Sequence, residues 1–306
     1  MKLIDFFDAN LLNSLLRYIT PVLLATMGGL LCDQVGIMNI ALEGFMLLGT
    51  FIAVWFSFIS QSATIGVLAA ILVTMLLAYF FGLFSITLKG NKIVLGIAFN
   101  LFCSGVTVYL LTTLFHTRGS FISPKIVGLP NFPIKAIENM PIIGSLFSNH
   151  TLVIYISLLI LILITILLYK HKVGLRLRGI GEHAAAAQSL GVNVKFYQFA
   201  IVILSGALCG LAGAQLSLGN VRLFVEGMSA GRGWIAVAAV MLAQGNPLIA
   251  FAACFIFGFS DAISGRLQGI GIPVEFAQSF PYILTVISLI IIHYRKKKRS
   301  SVYESL

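Results

Sequence analysis

Polar positions are rare along this chain, and where they fall predicts its architecture. Residues 44–88 hold no charge and no histidine. As one α-helix that run would be about 67 Å long, against about 30 Å of bilayer hydrocarbon. It therefore predicts two spanning helices, with Ser57–Ile65 (SFISQSATI) as the turn between them. Further spans are predicted over 93–115, 151–169, 196–221 and 276–292, and one more before them over 9–32, which carries Arg17 and Pro21. The run 233–260 is interrupted by Gly245–Asn246–Pro247, a strong breaker, and predicts two shorter helices. Residues 196–221 are rich in small side chains (Ser205, Gly206, Ala207, Gly210, Gly213), which let helices approach closely in lipid.

Composition closes off the other classes. Hydrophobic residues make up 59% of the 306 and Asp, Glu, Lys and Arg only 10%, too little charge to cover a water-exposed surface. The fold class predicted is all-α: a polytopic membrane protein of about 8–10 transmembrane helices. The net charge of +10 is no nucleic-acid signature, because five basic residues stand together at Arg295–Arg299 beside an apolar span. The positive-inside rule sets the orientation. Lys89 and Lys92, the stretch 170–195 and the tail carry most of the Lys and Arg, which predicts a cytoplasmic C-terminus and a cytoplasmic loop at about 170–195. The long outside loop falls at about 116–150. Alternation back from the tail gives nine crossings and an outside N-terminus, and that count changes if Asp33–Gly44 re-enters the membrane instead of turning. The N-terminal MKLIDFFDAN lacks a small-residue cleavage site and is not read as a signal peptide. The four cysteines lie in apolar stretches and read as small packing residues.

Candidate chemistry is of the binding kind. There is no GxxxxGK[ST], no HExxH, no GxSxG and no Asp-rich pair, so no catalytic residue and no metal ligand is predicted. Three polar segments stand out. Asp33–Gly44 (DQVGIMNIALEG) places two carboxylates and Asn39 between apolar helices. Polar groups at depth mark pathways; the alternative is a short cytoplasmic turn with Glu43 capping the next helix. The pair of shorter helices around Gly245–Asn246–Pro247, with Gly231–Arg232–Gly233–Trp234 leading in, has the pattern of broken helices at a transporter's binding site; the alternatives are a tight hairpin and an interfacial Trp. In the loop 170–195, glycines 174, 179 and 181 are expected to break up the lead-in, followed by a short helix Glu182–Leu190 built on Ala184, Ala185, Ala186 and Ala187 and ended by Gly191. Asn100 and Gln215 lie inside spans, where an amide faces either a solute or a neighbouring helix.

Together these segments carry a resemblance. GE-x-x-AAA-x-x-x-G-V-N-V, between two apolar helices, resembles the cytoplasmic coupling loop of ABC-importer permeases. DQVGIMNIALEGFMLLG resembles the G-x-x-N-I-x-L-E-G-x-M signature of the permease family for simple sugars and nucleosides, and GRGWIAVAAVMLAQGNPLIA its later segment. The likeness is closest to the nucleoside branch that pairs with basic-membrane-protein-type lipoproteins. It implies a single transmembrane permease domain over 1–306 in the cell membrane, forming the path for a nucleoside or simple sugar. Path candidates are Asn39, Glu43, Asn100, Gln215 and Trp234. Coupling candidates are Glu182, His183, Ala184, Ala185, Ala186, Ala187 and Gly191. Many such permeases carry the coupling glutamate where this chain has Ala184; here it is Glu182.

Implied partners are an ABC ATP-binding subunit, a second permease subunit (a second copy or a similar chain), an extracytoplasmic solute-binding lipoprotein and membrane lipid, with no nucleic acid polymer. No cofactor is expected on this chain, ATP and Mg being bound by the partner. The competing class is an ion-coupled secondary transporter, which needs membrane carboxylates from among Asp33, Glu43 and Asp261.

Overall fold

A computed structural model of the chain describes residues 9–133 and 148–269. Nine helices lie within the described residues: α1 (Ala9–Gln34), α2 (Leu42–Ser60), α3 (Ala63–Gly82), α4 (Lys92–Phe115), α5 (Leu152–Lys170), α6 (Lys172–Ser189), α7 (Val194–Ala214), α8 (Arg232–Ala243) and α9 (Pro247–Gly269). Helices α3 and α7 continue into π-helical turns over Leu83–Thr87 and Gln215–Val221. Seven helical segments are long and apolar enough to cross a membrane, and α8, with 12 residues, is a shorter apolar helix. The chain is therefore an all-α polytopic membrane protein. The predicted span 276–292 and the basic tail lie outside the described residues.

The helix boundaries follow from local chemistry. Asn91 accepts from the backbone N–H groups of Ile93 and Val94 and caps α4. Asn193 does the same for α7 through Phe196 N–H, 3.1 Å away. In the Gly245–Asn246–Pro247 breaker, Asn246 accepts from Leu248 N–H at 2.9 Å and Pro247 takes the first position of α9, where its missing N–H costs nothing. The turn after α2 falls at Gln61, which is left-handed (φ 51°), inside the predicted Ser57–Ile65.

Two expectations change. Of the two helices around the breaker only α8 is short, because α9 runs for 23 residues and carries Asp261 in its interior. The lead-in within the 170–195 loop is helical from Lys172, with Gly174 and Gly179 inside it and Gly181 just before the helix is interrupted at His183. Two of these glycines serve close approach. A Cβ at Gly174 would overlap the backbone of Leu167 and Leu168, and one at Gly181 would meet the carbonyl of Gln34.

Helix α7 is the centre of the bundle and packs against α1, α2 and α3. Its small residues make that possible: Gly213 lies where a Cβ would strike the backbone of Met46 and Thr50 on α2. All four cysteines are buried and free.

Contacts sort the loops onto two faces. On one face Lys92 Nζ donates to Gly36 O, Gln198 Nε2 donates to Val35 O, and Gln34 Nε2 donates to Gly245 O. The segment 172–182 packs here too, so this is the basic face. On the far face Ser57 Oγ donates to Val127 O, and β1 (Ser120–Phe121) pairs antiparallel with β4 (Phe224–Val225). There β2 (Asn131–Phe132) pairs with β3 (His150–Thr151), just before α5. Successive long spans thus alternate between the faces, while α6 stays on the basic one. The segment after α1 leaves the basic face and does not return to it before α2 begins, so it does not add a crossing.

Candidate translocation and coupling sites

Residues 35–41 form a non-helical strip that climbs into the membrane. Val35 sits beside Gln198, near the start of α7, whereas Asn39 meets Ser205. Ser205 lies about 16 Å along α7 from its first residue at 1.5 Å per residue. Backbone groups of such a strip have no helical partners, and in hydrocarbon each must be satisfied. Two asparagines do this. Asn39 Oδ1 accepts from Ala41 N–H at 3.0 Å while its Nδ2 donates to Ser205 Oγ at 3.1 Å. Asn100 Nδ2 donates to Ile40 O at 3.0 Å, and its Oδ1 accepts from Gly44 N–H at 2.7 Å. The strip is thereby pinned to α7 and α4, and α2 starts about 12 Å inside the basic end of α4.

Glu43, in the first turn of α2, reaches across to α8. Its Oε1 accepts from Gly231 N–H at 2.9 Å and its Oε2 from Gly233 N–H at 2.6 Å. These are N-terminal donors of α8, where the helix dipole also favours a negative charge. A carboxylate at this depth is costly unless paired, and here the pairing is with backbone. Both half-membrane helix starts, α2 and α8, therefore converge on one side chain. Gly233 is obligatory in this packing, since a Cβ there would coincide with the Glu43 backbone. Next to it Arg232 pairs with Asp261 of α9 at 3.5 Å. Trp234, one residue further, is exposed.

A cavity of about 160 Å³ lies between α1, the strip and α8, lined by Gly29, Asp33, Met38, Asn39, Val237, Val240 and Met241. Trp234 shares the helix face of Val237 and Met241 by its spacing, one turn nearer the Glu43 clamp. A larger polar cleft of about 520 Å³ opens on the basic face, lined by Asp33, Gln34, Tyr169, Arg178, Glu182 and Gln244 among others. Asp33 lines both. In the cleft the Arg178 guanidinium stands 5.5 Å from the centre of the Tyr169 ring.

The coupling candidates form a separate short helix. The chain breaks at His183 (φ −154°, ψ 90°), and His183 Nδ1 accepts from Ala186 N–H at 3.3 Å, an N-cap. At the other end Val192 N–H donates to Ala187 O and Gly191 N–H to Gln188 O, with Gly191 at φ +81°, which is the Schellman ending. Between the caps Ala187 is buried against the body, while Ala184, Ala185 and Ala186 are exposed, as is Glu182 just before the first cap. Leu190, beside them, is 85% exposed.

Gln215 lies far from both regions. It opens the π turn at the far face, fully buried, accepting from Thr151 Oγ1 at 2.7 Å and donating to Asn220 Oδ1 at 3.3 Å. The structure thus brings Asn39, Glu43, Asn100 and Trp234 into one region and leaves Gln215 outside it. Sequence reasoning missed Ser205, Gln34 and the Arg232–Asp261 pair. Arg232 inside the G-x-G-W opening was the available signal for that pair, and Ser205 and Gln34 carried none.

The comparisons with known proteins span nearly the whole chain, these segments included. The family described as "Branched-chain amino acid transport system / permease component" matches residues 11–289. The chain belongs to this permease family. It is 33% identical, over 88% of its length and 81% of the relative's, to the "Putative glucose ABC transporter permease protein TsgC13" of Haloferax volcanii. It is 32% identical to the nucleoside ABC transporter permease protein NupC of Lactococcus lactis, over 90% of each chain. To the guanosine ABC transporter permease protein NupQ of Bacillus subtilis it is 29% identical, over 90% of this chain and 89% of the relative. No solved structure matches it. The protein is thus a multi-pass cell-membrane permease subunit of an ABC importer, itself not catalytic, and membership implies assembly with an ATP-binding subunit and a substrate-binding protein. The ion-coupled alternative is set aside. Of the carboxylates it requires, Glu43 is held by backbone donors and Asp261 by Arg232.

Proposed function

We propose that this permease forms the path for nucleosides and that its basic face, with the C-terminus, is cytoplasmic. The observation that carries the coupling mechanism is the short helix after His183, capped at both ends and exposing Ala184–Ala186 and Leu190. Small side chains flanked by one exposed leucine offer a docking ridge for the ATP-binding subunit, which binds ATP and Mg and hydrolyses the nucleotide. Two permease subunits and an extracytoplasmic solute-binding lipoprotein complete the assembly. ATP-driven closure of the partner moves this ridge and biases the bundle between two packings.

The solute class rests on the likeness to NupC and NupQ, together with the chemistry near the strip. A nucleoside asks for amides toward ribose and base edges and for an aromatic face. Asn39 supplies the amide in the lining of the 160 Å³ cavity, and Trp234, on the α8 face that lines it but one turn beyond, offers the aromatic ring. That volume is below the roughly 300–1,000 Å³ of a formed ligand pocket, so solute passage requires α8 to move or a second subunit to complete the wall. Asn39 then exchanges its Ser205 bond for one to the solute. A monosaccharide is the second reading, favoured by the relative named for glucose.

The test is uptake into proteoliposomes holding this chain, its ATP-binding subunit and its solute-binding protein. Radiolabelled guanosine is expected to accumulate in an ATP-dependent way and to be displaced by excess nucleoside but not by excess glucose. Ala185→Arg should abolish uptake and recovery of the ATP-binding subunit. Accumulation of glucose without guanosine would favour the sugar reading, and full complex recovery with Ala185→Arg would remove the docking ridge.

A further inference from the structure

Helix α8 is attached at its start by Glu43, beside the Arg232–Asp261 pair, and at its end by Gln34, and the Glu43 and Gln34 attachments connect the segment 172–182 to the cavity. At its start, Gly231 and Gly233 donate to the two oxygens of Glu43. At its end, Gly245 O accepts from Gln34 Nε2 at 3.4 Å. Gln34 is the last residue of α1, and its backbone carbonyl is the surface against which Gly181 of the coupling segment packs. Gly181 stands two residues before the break at His183. The middle of α8 supplies Val237, Val240 and Met241 to one wall of the 160 Å³ cavity, with Asn39 and Asp33 on the other side. A displacement of the coupling segment therefore meets Gln34 first, and through Gln34 the basic end of α8.

We propose that α8 is a lever that pivots on Glu43, so that Glu43 is a positioning residue which turns movement of the coupling segment at Gly181 and Gln34 into opening and closing of the cavity beside Asn39. The geometry of the two ends differs in the way a lever needs. The Glu43 end is a bidentate, charge-assisted attachment with bonds of 2.9 and 2.6 Å, and charge-assisted bonds are roughly twice as strong as neutral ones. It is also locked by the absence of a Cβ at Gly233. The Gln34 end is one long neutral bond at a turn where Gln244 and Gly245 are both left-handed (φ 46° and 84°). The strong end holds position and the weak end yields. The lever sits on a short helix with its far end free of a continuous span, since α9 begins anew at Pro247. This inference rests on the reading of the chain as an ATP-driven permease, but the clamp itself does not.

Two arms keep those apart. In the first, the purified full chain in nanodiscs, without partners, is compared with Glu43→Gln by hydrogen exchange. Gln keeps the size but offers one acceptor oxygen where two N–H groups need one each. Exchange over residues 233–236 is expected to quicken at least tenfold in Glu43→Gln, with α7 unchanged, and unchanged exchange there overturns the pivot. In the second, the complete transporter is reconstituted with Glu43→Gln and, separately, with Gln34→Ala, which cuts the other end and stands in if Glu43→Gln does not fold. ATP hydrolysed per solute imported should rise at least fivefold in both variants at unchanged complex yield. If uptake and ATP hydrolysis instead fall in the same proportion, both residues are merely structural and the lever is overturned. If the wild-type transporter shows no solute-linked ATP hydrolysis, the permease reading fails and the exchange arm alone decides the pivot.

Discussion

Asn100→Leu tests how the chain keeps an unwound segment inside the membrane. The asparagine satisfies two backbone groups with no other protein partner among the described residues, Gly44 N–H at 2.7 Å and Ile40 C=O at 3.0 Å. Leucine matches it in side-chain heavy-atom count and branching, and leaves both groups without a bond. Each buried unsatisfied group costs about 1–3 kcal/mol, a loss of about 2–6 kcal/mol. The added apolar burial of leucine returns about 1 kcal/mol. A net destabilisation of about 3 kcal/mol, or roughly a hundredfold in the folded fraction, is the expected outcome. Reversible unfolding in mixed micelles by added SDS measures it. Thr112→Val is the matched control. Thr112 Oγ1 donates to Val108 O of its own helix, at 3.0 Å on an exposed face, and the change is expected within about 0.5 kcal/mol. If Asn100→Leu also falls within about 0.5 kcal/mol, the strip is held by something other than this amide and the reasoning is wrong.

Gly233→Ala should prevent a stable bundle, because the new Cβ meets backbone rather than a flexible side-chain end; overpacking of this kind costs about 1–3 kcal/mol or more. Loss of the monodisperse peak in size-exclusion chromatography reads it, and an intact peak with wild-type unfolding refutes it. His183→Ala removes the cap of the coupling helix at a cost of about 1 kcal/mol, so the variant should fold as wild type yet recover less ATP-binding subunit in a pull-down. Equal recovery refutes the cap's role. A single cysteine at Ser189, in a background lacking Cys32, Cys103, Cys209 and Cys254, should resist an impermeant thiol reagent in intact cells and react in inverted vesicles. The opposite result places the coupling helix outside.

The positions of the spans were legible in the sequence because lipid leaves the backbone few choices. A charge-free run must close its own hydrogen bonds, so 44–88 had to be two helices and 93–115, 151–169 and 196–221 one each. The breakers were legible too: Gly245, Asn246 and Pro247 act through local dihedrals and caps, which depend on neighbours in the chain. So was the short helix after His183, whose ending at Gly191 is a local motif. Only the tertiary structure decided what the polar residues do. Nothing in the spacing of Glu43 and Gly233 shows that one carboxylate closes the start of a helix 190 residues away. Nor does it show that Asn39 is spent on Ser205, or that Gln215 works at the opposite face. A buried polar group must find a partner, but the requirement names only the chemistry of that partner. Which residue meets it is set by how the helices cross, and that is fixed by glycines such as Gly174 and Gly181, whose role as contact points appears only once a second backbone lies against them.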